Sequence, residues 1–196
     1  KSLAFTQNVI MTKSTHESGT ERVVEAVSNI DCNIVVNVQG DEPFINPILI
    51  ESLFDSLENE TVLIASVMER ITEKEELINS NSVKVITDDN QDALYFSRSV
   101  IPFIREGIET ILDENGKISS DYNFYRHVGI YGYKKSFLTV YSKMNESALE
   151  KLEKLEQLRV LENGVKIKMI KTNYKSLGID TIEDYNKAIN LINHGF

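Results

Sequence analysis

A β-branched run that leads into an acidic turn lies near the start of the chain. It reads Ile34-Val35-Val36-Asn37-Val38-Gln39-Gly40-Asp41-Glu42-Pro43. A short apolar run bounded by turn residues is typical of a buried strand in a parallel sheet. Ligands of open α/β folds bind at the carboxyl ends of the strands, so a side chain just after the run would project into such a site. Gly40 favours a close backbone turn at that edge.

Asp41 therefore has two interpretations. A carboxylate at this edge of a sheet is a hard-oxygen ligand for Mg²⁺, and the metal would in turn bind phosphate. Alternatively, Asp41 is a turn residue that accepts hydrogen bonds from nearby backbone N–H groups. The pattern alone slightly favours the turn.

Strand and helix signals alternate along the rest of the chain. The predicted strands are 34–38, 62–67, 83–87, 93–96, 126–133 and 165–170. The predicted helices are 21–29, 47–57, 135–144, 147–163 and 181–192. This alternation predicts an α/β fold with a mainly parallel sheet flanked by helices. We expect one domain over 1–196, with a strand-rich subdomain at about 83–133 and a polar loop or flap at 107–122.

Several helix starts carry capping residues. Asn46 precedes Pro47 at one start, and Ser147 forms a capping box with Glu150 at another. The helix that begins at Ser147 carries Glu156 on a locally apolar face. A carboxylate there either points into a site or extends outward to solvent, and composition alone favours the outward orientation.

Charge and cysteine content limit the class of protein. The 196 residues include 21 Lys and Arg against 30 Asp and Glu, so the formal net charge is −9. An acidic surface repels phosphate backbones, which argues against a nucleic-acid partner. The single cysteine, Cys32, excludes an internal disulfide and fits a reducing compartment. No apolar run approaches the roughly 18 residues that span a bilayer, so we expect a cytoplasmic protein with no membrane partner.

Three further groups of residues could bind a ligand, and each has an ordinary structural alternative. Backbone N–H groups near Ser18 and Gly19 could hold an anion or a base edge, whereas Ser18 or Thr20 could simply cap the helix that follows. Asp180 could bind a metal or cap the last helix, and capping is the more common role. Arg98 matches a carboxylate or phosphate with two donors, although surface ion pairing is the usual alternative.

Six blocks of sequence follow one another along the chain. They are Ser18-Gly19-Thr20-Glu21-Arg22, Asn37-Val38-Gln39-Gly40-Asp41-Glu42-Pro43, Ala93-Leu94-Tyr95-Phe96-Ser97-Arg98, Arg126-His127-Val128-Gly129-Ile130-Tyr131-Gly132-Tyr133, Leu155-Glu156-Gln157-Leu158-Arg159 and Gly178-Ile179-Asp180-Thr181. In this order they resemble the CMP-Kdo synthetase family, the 3-deoxy-manno-octulosonate (Kdo) cytidylyltransferases. The resemblance extends from about Met11 to Leu191, and six ordered blocks are far more specific than any one of them.

The resemblance implies a fold, a reaction and partners. The implied fold is a three-layer, Rossmann-like α/β sheet of the nucleotide-diphospho-sugar-transferase type. The implied reaction joins CTP and Kdo to give CMP-Kdo and pyrophosphate, with Mg²⁺ as cofactor, in lipopolysaccharide biosynthesis. The family also suggests a homodimer. Its N-terminal strand and its glycine- and lysine-containing triphosphate loop have no counterpart in this sequence, and we expect them upstream of Lys1.

Candidate site residues follow from the resemblance position by position. Asp41 and Asp180 match the family's magnesium carboxylates. Ser18, Gly19 and Gln39, together with Asp41, match the positions that bind CTP. The positions that match the sugar-acid pocket are Arg98, His127, Tyr131, Glu156 and Gln157. In this assignment the arginine cation suits the Kdo carboxylate and joins the two aspartates in catalysis, while the glutamate and glutamine suit the sugar hydroxyls.

Two alternatives to Kdo transfer stay open from the sequence. The acceptor could be another acidic sugar, for example 8-amino-Kdo. The chain could also be a non-catalytic remnant that lacks the triphosphate loop.

Overall fold

The computed structural model describes residues 8–16, 18–40, 42–175, 178–179 and 181–194. Its helices are α1 (Gly19–Val27), α2 (Pro47–Glu58), α3 (Lys74–Ile78), α4 (Lys135–Tyr141), α5 (Ala148–Glu153), α6 (Gln157–Glu162) and α7 (Ile182–His194). Its strands are β1 (Ile34–Asn37), β2 (Ile64–Ile71), β3 (Lys84–Thr87), β4 (Ala93–Ser97), β5 (Phe124–Lys134) and β6 (Lys168–Thr172). The predicted alternation is confirmed, and α3 is an addition that the sequence patterns did not predict.

The long strand β5 organises the sheet. One side of β5 pairs antiparallel with β2 along nearly its whole length. The other side pairs antiparallel with β3 near the start of β5 and with β1 near its end. The outer strands are β4, antiparallel to β3, and β6, parallel to β2. Within the described residues, β1, β2, β3 and β6 therefore run in one direction, and β4 and β5 run in the other.

The α/β class is confirmed, but the expectation of a mainly parallel sheet is wrong for the described strands. Among them, only β2 and β6 form a parallel ladder. The alternation of strands and helices correctly indicated a common direction for four strands. It could not indicate that β5 lies between β1 and β2, because strand order depends on contacts between segments that are distant in sequence.

Helices pack on both faces of the sheet, which gives the expected three layers. One face is covered by α2, whose Leu53 and Leu57 are fully buried. The other face is covered by α4 and α6, through residues such as Phe137 and Leu158. Gly132 of β5 permits the close approach of α2, since a Cβ atom there would lie only 2.5 Å from Leu57 Cδ1.

The single helix predicted over 147–163 is wrong, because the chain breaks it into α5 and α6. Lys154 adopts a left-handed conformation, with φ of 55°. Leucines spaced three apart spiral around a continuous helix and cannot all face one core. The break resolves this conflict, because Leu155 and Leu158 become buried while Leu152 stays 80% exposed.

The helix caps predicted at Ser18, Asn46 and Ser147 are confirmed, and the possible cap at Asp180 lies outside the described residues. Asn46 caps α2, with Pro47 in the first turn, and Ser147 forms the expected capping box with Glu150. Ser18 caps α1. None of the described helices has both the length and the apolar character that crossing a bilayer requires.

The polar stretch 107–122 is a loop, as predicted, but it is packed against the sheet. A short 3-10 helix, Ile108–Ile111, lies within it. Ile111 and Ile118 are buried in a small cluster with Phe124 and other apolar residues. These contacts anchor the middle of the loop.

Candidate functional site

Alternation along β5 brings several aromatic rings into one row on the face covered by α4 and α6. The ring centroids of His127 and Tyr131 are 5.1 Å apart, and those of Tyr131 and Tyr133 are 5.8 Å apart. Phe96 of β4 extends this row, with its ring 5.3 Å from that of His127. We call these four residues the aromatic row. The period-two pattern predicted for this strand is confirmed, and it brings two candidate sugar-binding residues side by side.

The ring of His127 is held in place at its Nε2 atom. Ser66 Oγ of β2 lies 2.8 Å from this nitrogen. Burial, together with the nearby positive charge of Arg126, lowers the pKa of His127 to about 3. The imidazole is therefore neutral near pH 7, so it carries no charge and can form only hydrogen bonds with a polar neighbour.

The carboxylate of Glu156 turns toward the sheet. Its Oε1 accepts a hydrogen bond of 2.9 Å from Thr20 Oγ1, and its Oε2 accepts one of 3.4 Å from the Tyr141 hydroxyl. Thr20 Oγ1 is also 3.2 Å from the Tyr133 hydroxyl, which is the donor because threonine has already given its one proton. Burial and the charge of Glu156 raise the pKa of both tyrosines. Of the two orientations that the sequence left open, the structure has the inward one.

Gln157 lies beside this carboxylate in the chain, in the first turn of α6. Its side chain is buried, with 5% of the residue exposed. The break at Lys154 sets where α6 starts, so it also sets where Glu156 and Gln157 lie relative to the sheet.

Arg98 follows β4 and is oriented mainly by backbone carbonyl groups. Its Nε donates to Glu153 O over 2.9 Å, and its Nη1 donates to Ser80 O over 3.1 Å. The carbonyl of Arg98 accepts a hydrogen bond of 2.6 Å from Lys84 Nζ, and burial of this ammonium group lowers its pKa. These bonds fix the guanidinium at the end of α5. Among the described residues, no hydrogen bond or cation–π contact joins it to the aromatic row.

The loop before α1 lies against the end of β1. Ser18 Oγ accepts a hydrogen bond of 3.2 Å from a backbone N–H of the first turn, so the capping interpretation of this residue holds. A Cβ atom on Gly19 would lie 3.2 Å from Gln39 Nε2, so a side chain there would push the amide away. Three of the four candidate CTP-binding residues, Ser18, Gly19 and Gln39, are therefore neighbours, and Thr20 connects their loop to Glu156.

The two candidate metal ligands, Asp41 and Asp180, lie outside the described residues. Residues close to them in sequence do lie within the description. A Cβ atom on Gly178 would be 3.4 Å from Glu42 Oε1. The chain segments next to the two aspartates therefore meet, although they are distant in sequence. Among the residues that the structure describes, no cluster of three or more His, Cys, Asp or Glu side chains is arranged to hold a metal ion.

The sequence patterns predict no binding or catalytic role for three residues of this region, and for one of them they predict only a possible helix cap. Asn37 of β1 and Ser66 of β2 lie opposite Tyr131 on the two sides of β5. The Nδ2 atom of Asn37 is buried, and no hydrogen-bond partner for it lies within the described ranges. For Thr20 the sequence indicates only a possible helix cap. Alternation could have indicated which side chains share a face, but not which of them face each other across strands.

Comparison with known proteins agrees with this arrangement. A family model for cytidylyltransferases matches residues 2–167. A 3-deoxy-manno-octulosonate cytidylyltransferase of Fusobacterium nucleatum is 43% identical over 190 residues, which cover 96% of this chain and 73% of that protein. The chain belongs to the 3-deoxy-manno-octulosonate cytidylyltransferase family. Another member, from Geobacter metallireducens, is 42% identical over 187 residues, which cover 95% of this chain and 73% of that protein.

A solved structure of the same family gives the same fold. It is a CMP:2-keto-3-deoxy-manno-octonic acid synthetase in complex with CTP, 35% identical to this chain, with a TM-score of 0.81. The match covers 94% of this chain and 71% of that protein. The resemblance carried by the six sequence blocks is thus confirmed, and the 3-deoxy-manno-octulosonate cytidylyltransferase family makes this chain a nucleotidyltransferase.

Proposed function

We propose that this chain transfers the cytidylyl group of CTP to the anomeric 2-hydroxyl of Kdo, giving CMP-Kdo and pyrophosphate. The observation that carries the proposal is the similarity, over 94% of the chain, to a synthetase solved with CTP bound. The hydrogen bond from Thr20 to Glu156 supports it further, because it joins the loop that matches CTP-binding positions to the matched sugar pocket. Two adjacent subsites are what direct transfer between two bound substrates requires.

The nucleotide subsite is assigned to Ser18, Gly19 and Gln39, with Asp41. Cytosine presents an amino group that needs an acceptor and a carbonyl that needs a donor. The Ser18 hydroxyl, the backbone near Gly19 and the Gln39 amide beside it offer both kinds of group. Ser18 already accepts a bond as the cap of α1 and also has a side-chain hydrogen bond with Tyr141, so the Gln39 amide and the backbone near Gly19 are the donors for the cytosine carbonyl.

The acceptor subsite is assigned to the aromatic row and the groups at its ends. Glu156 and Gln157 offer acceptors for sugar hydroxyls, and His127 and Tyr131 complete the same surface. Arg98 suits the Kdo carboxylate, because a guanidinium has five N–H donors and the two bonds to carbonyl oxygens use only two of them.

We assign Mg²⁺ to Asp41 and Asp180. The contact between Gly178 and Glu42 supports this assignment, since it brings the flanking segments together, and carboxylates are the ligands that hard cations prefer. When bound, the metal would neutralise charge that builds on the phosphate oxygens as pyrophosphate leaves. The chain's own contribution is to position the α-phosphate of CTP beside the sugar hydroxyl.

The cellular setting is part of the same proposal. We infer that the enzyme works in the cytoplasm, as a homodimer, and supplies CMP-Kdo for lipopolysaccharide biosynthesis. The names of its relatives support the product, and the single cysteine supports a reducing compartment. Light scattering on the purified protein would measure the dimer directly.

Pyrophosphate release by the full-length protein with CTP, Mg²⁺ and Kdo tests the function. We expect release that depends on Kdo and stops when the metal is chelated. Asp41→Ala and Asp180→Ala should each abolish it while leaving most of the fold intact. If Asp180 were only a helix cap, its loss would cost about 1 kcal/mol of stability and leave turnover near normal. A folded wild-type protein that releases no pyrophosphate would contradict the proposal.

A further inference from the structure

Ser66 is a fully buried serine beside an irregularity in the neighbouring strand. The pairing register of β2 with β5 shifts just after Ser66, so Gly129 and Ile130 of β5 are skipped in the ladder. Ser66 Oγ lies 2.8 Å from Ile130 O, 3.4 Å from Val128 O and 2.8 Å from His127 Nε2. One hydroxyl therefore contacts three groups at this bulge.

The number of protons fixes the direction of these bonds. A serine hydroxyl has one proton, and a carbonyl oxygen can only accept. The Ser66 proton is therefore used on Ile130 O, which is the closer of the two carbonyl oxygens. Toward His127 the Ser66 oxygen can then only accept, so the proton between them belongs to Nε2. A neutral His127 in this arrangement has its lone pair on Nδ1.

The surroundings of His127 keep this nitrogen available. Phe96 contacts the imidazole edge-on, at an interplanar angle of 81°, and Tyr131 contacts it at 49°. Both contacts restrict the plane of the ring. Burial and the charge of Arg126 lower the pKa of His127, so the ring stays neutral. Within the described ranges, the one hydrogen bond of the His127 side chain is that from Nε2 to Ser66.

We propose that Ser66 is a positioning residue that holds His127 as the Nε2–H tautomer, so that Nδ1 accepts a hydrogen bond from a hydroxyl of the acceptor sugar. This inference rests on the proposed function, because it takes the ligand beside the aromatic row to be a polyhydroxylated sugar acid. It also separates two roles within the pocket. A neutral nitrogen acceptor repels a carboxylate, so the acid group of the sugar falls to Arg98 and a hydroxyl falls to His127.

NMR of the full-length protein labelled with nitrogen-15 histidine tests the tautomer. The chain has three histidines, and the His127 signals are the ones lost in His127→Gln. We expect a protonated Nε2 and an unprotonated Nδ1 at neutral pH. A His127 ring protonated at Nδ1, or at both nitrogens, would overturn the inference. This result does not depend on whether the protein turns over CTP and Kdo.

Steady-state kinetics of Ser66→Ala test the consequence for the sugar. Without an acceptor for Nε2–H, both tautomers become populated, and KM for Kdo should rise about tenfold, which corresponds to about 1.4 kcal/mol. KM for CTP should stay at the wild-type value. Ser66→Thr keeps the hydroxyl and should restore both the single tautomer and KM for Kdo. An unchanged KM for Kdo in Ser66→Ala would overturn the inference.

Ser82→Ala is the matched control. The Ser82 hydroxyl is also buried, and it has no hydrogen-bond partner in the part of the chain that the structure describes. Its removal should change neither the His127 tautomer nor KM for Kdo. If the wild type releases no pyrophosphate, the proposed function fails, while the NMR spectra still decide what Ser66 does to His127. If Ser66→Ala does not fold, the wild-type spectra still show which nitrogen of His127 carries the proton.

Discussion

Glu150 and Glu156 lie on successive helical segments, and different kinds of groups surround their carboxylates. Glu150 is 6% exposed and accepts hydrogen bonds of 2.8 Å and 2.7 Å from Arg159 Nε and Nη2. Glu156 accepts hydrogen bonds from two neutral hydroxyls, those of Thr20 and Tyr141, and it forms no salt bridge among the described residues. One carboxylate has a fixed countercharge and the other does not.

The difference in countercharge distinguishes a structural carboxylate from one that serves a ligand. The paired arginine neutralises Glu150, and the same bonds raise the pKa of Arg159. Hydroxyl partners hold Glu156 in position but leave its charge unbalanced and some of its lone pairs unused. An unbalanced, partly buried charge costs stability, and such a cost is typical of functional sites. Substitutions at each carboxylate and at its partners test whether the two differ in this way.

Glu150→Gln should have the largest effect on stability. It removes the nearer of two carboxylates that face Arg159, which is only 7% exposed, and leaves Glu21 at 3.9 Å. Breaking a buried ion pair from one side costs about 3 to 5 kcal/mol, measurable by urea unfolding. The double variant Glu150→Leu with Arg159→Met is the control and should recover most of that loss, because neither charge stays buried alone. A loss below about 1 kcal/mol in Glu150→Gln would contradict the structural role.

Thr20→Val should have a smaller effect. Valine keeps the shape of this buried residue but removes the donor to Glu156 and the acceptor for Tyr133. We expect a loss of about 1 to 2 kcal/mol in the free energy of unfolding, because two buried polar groups lose a partner. Thr20→Ser keeps the hydroxyl and should stay close to the wild type. Equal stability of Thr20→Val and wild type would show that the network does not hold Glu156.

The pH dependence of His127 should give the smallest effect near neutral pH. The pKa of this histidine is about 3 in the fold, against 6.5 for an unperturbed histidine. Between these values the unfolded chain binds a proton that the folded chain does not, so stability from this group falls as pH falls. The free energy of unfolding of His127→Gln, measured across the same range, should fall less steeply. Equal slopes in the two proteins would contradict a neutral, buried imidazole.

Local signals predicted the parts of the fold that depend on neighbours in sequence. Asn46 and Pro47 mark the start of α2, and Ser147 with Glu150 marks the start of α5, because capping bonds join residues only a few positions apart. The β-branched residues of β1 indicated a strand for the same reason. These elements needed no knowledge of tertiary contacts.

The other features of the fold and of the site depend on contacts between segments that are distant in sequence. Insertion of β5 between β1 and β2 has no local signal, which is why the sheet is less parallel than the alternation predicts. The helix breaks at Lys154 because leucines on both sides of it could not all face one core along a continuous helix. The family resemblance predicted the inward orientation of Glu156. No sequence pattern could identify Ser66, because its role depends on a bulge in another strand.

Steady-state kinetics of Glu156→Gln, measured together with its unfolding, test most directly whether this carboxylate serves the acceptor sugar. The substitution keeps the shape and removes the charge. We expect KM for Kdo to rise about tenfold or more, equivalent to at least about 1.4 kcal/mol. KM for CTP should stay unchanged, and the free energy of unfolding should stay within about 1 kcal/mol of the wild type. A wild-type KM for Kdo, or a loss of stability as large as that of Glu150→Gln, would contradict it.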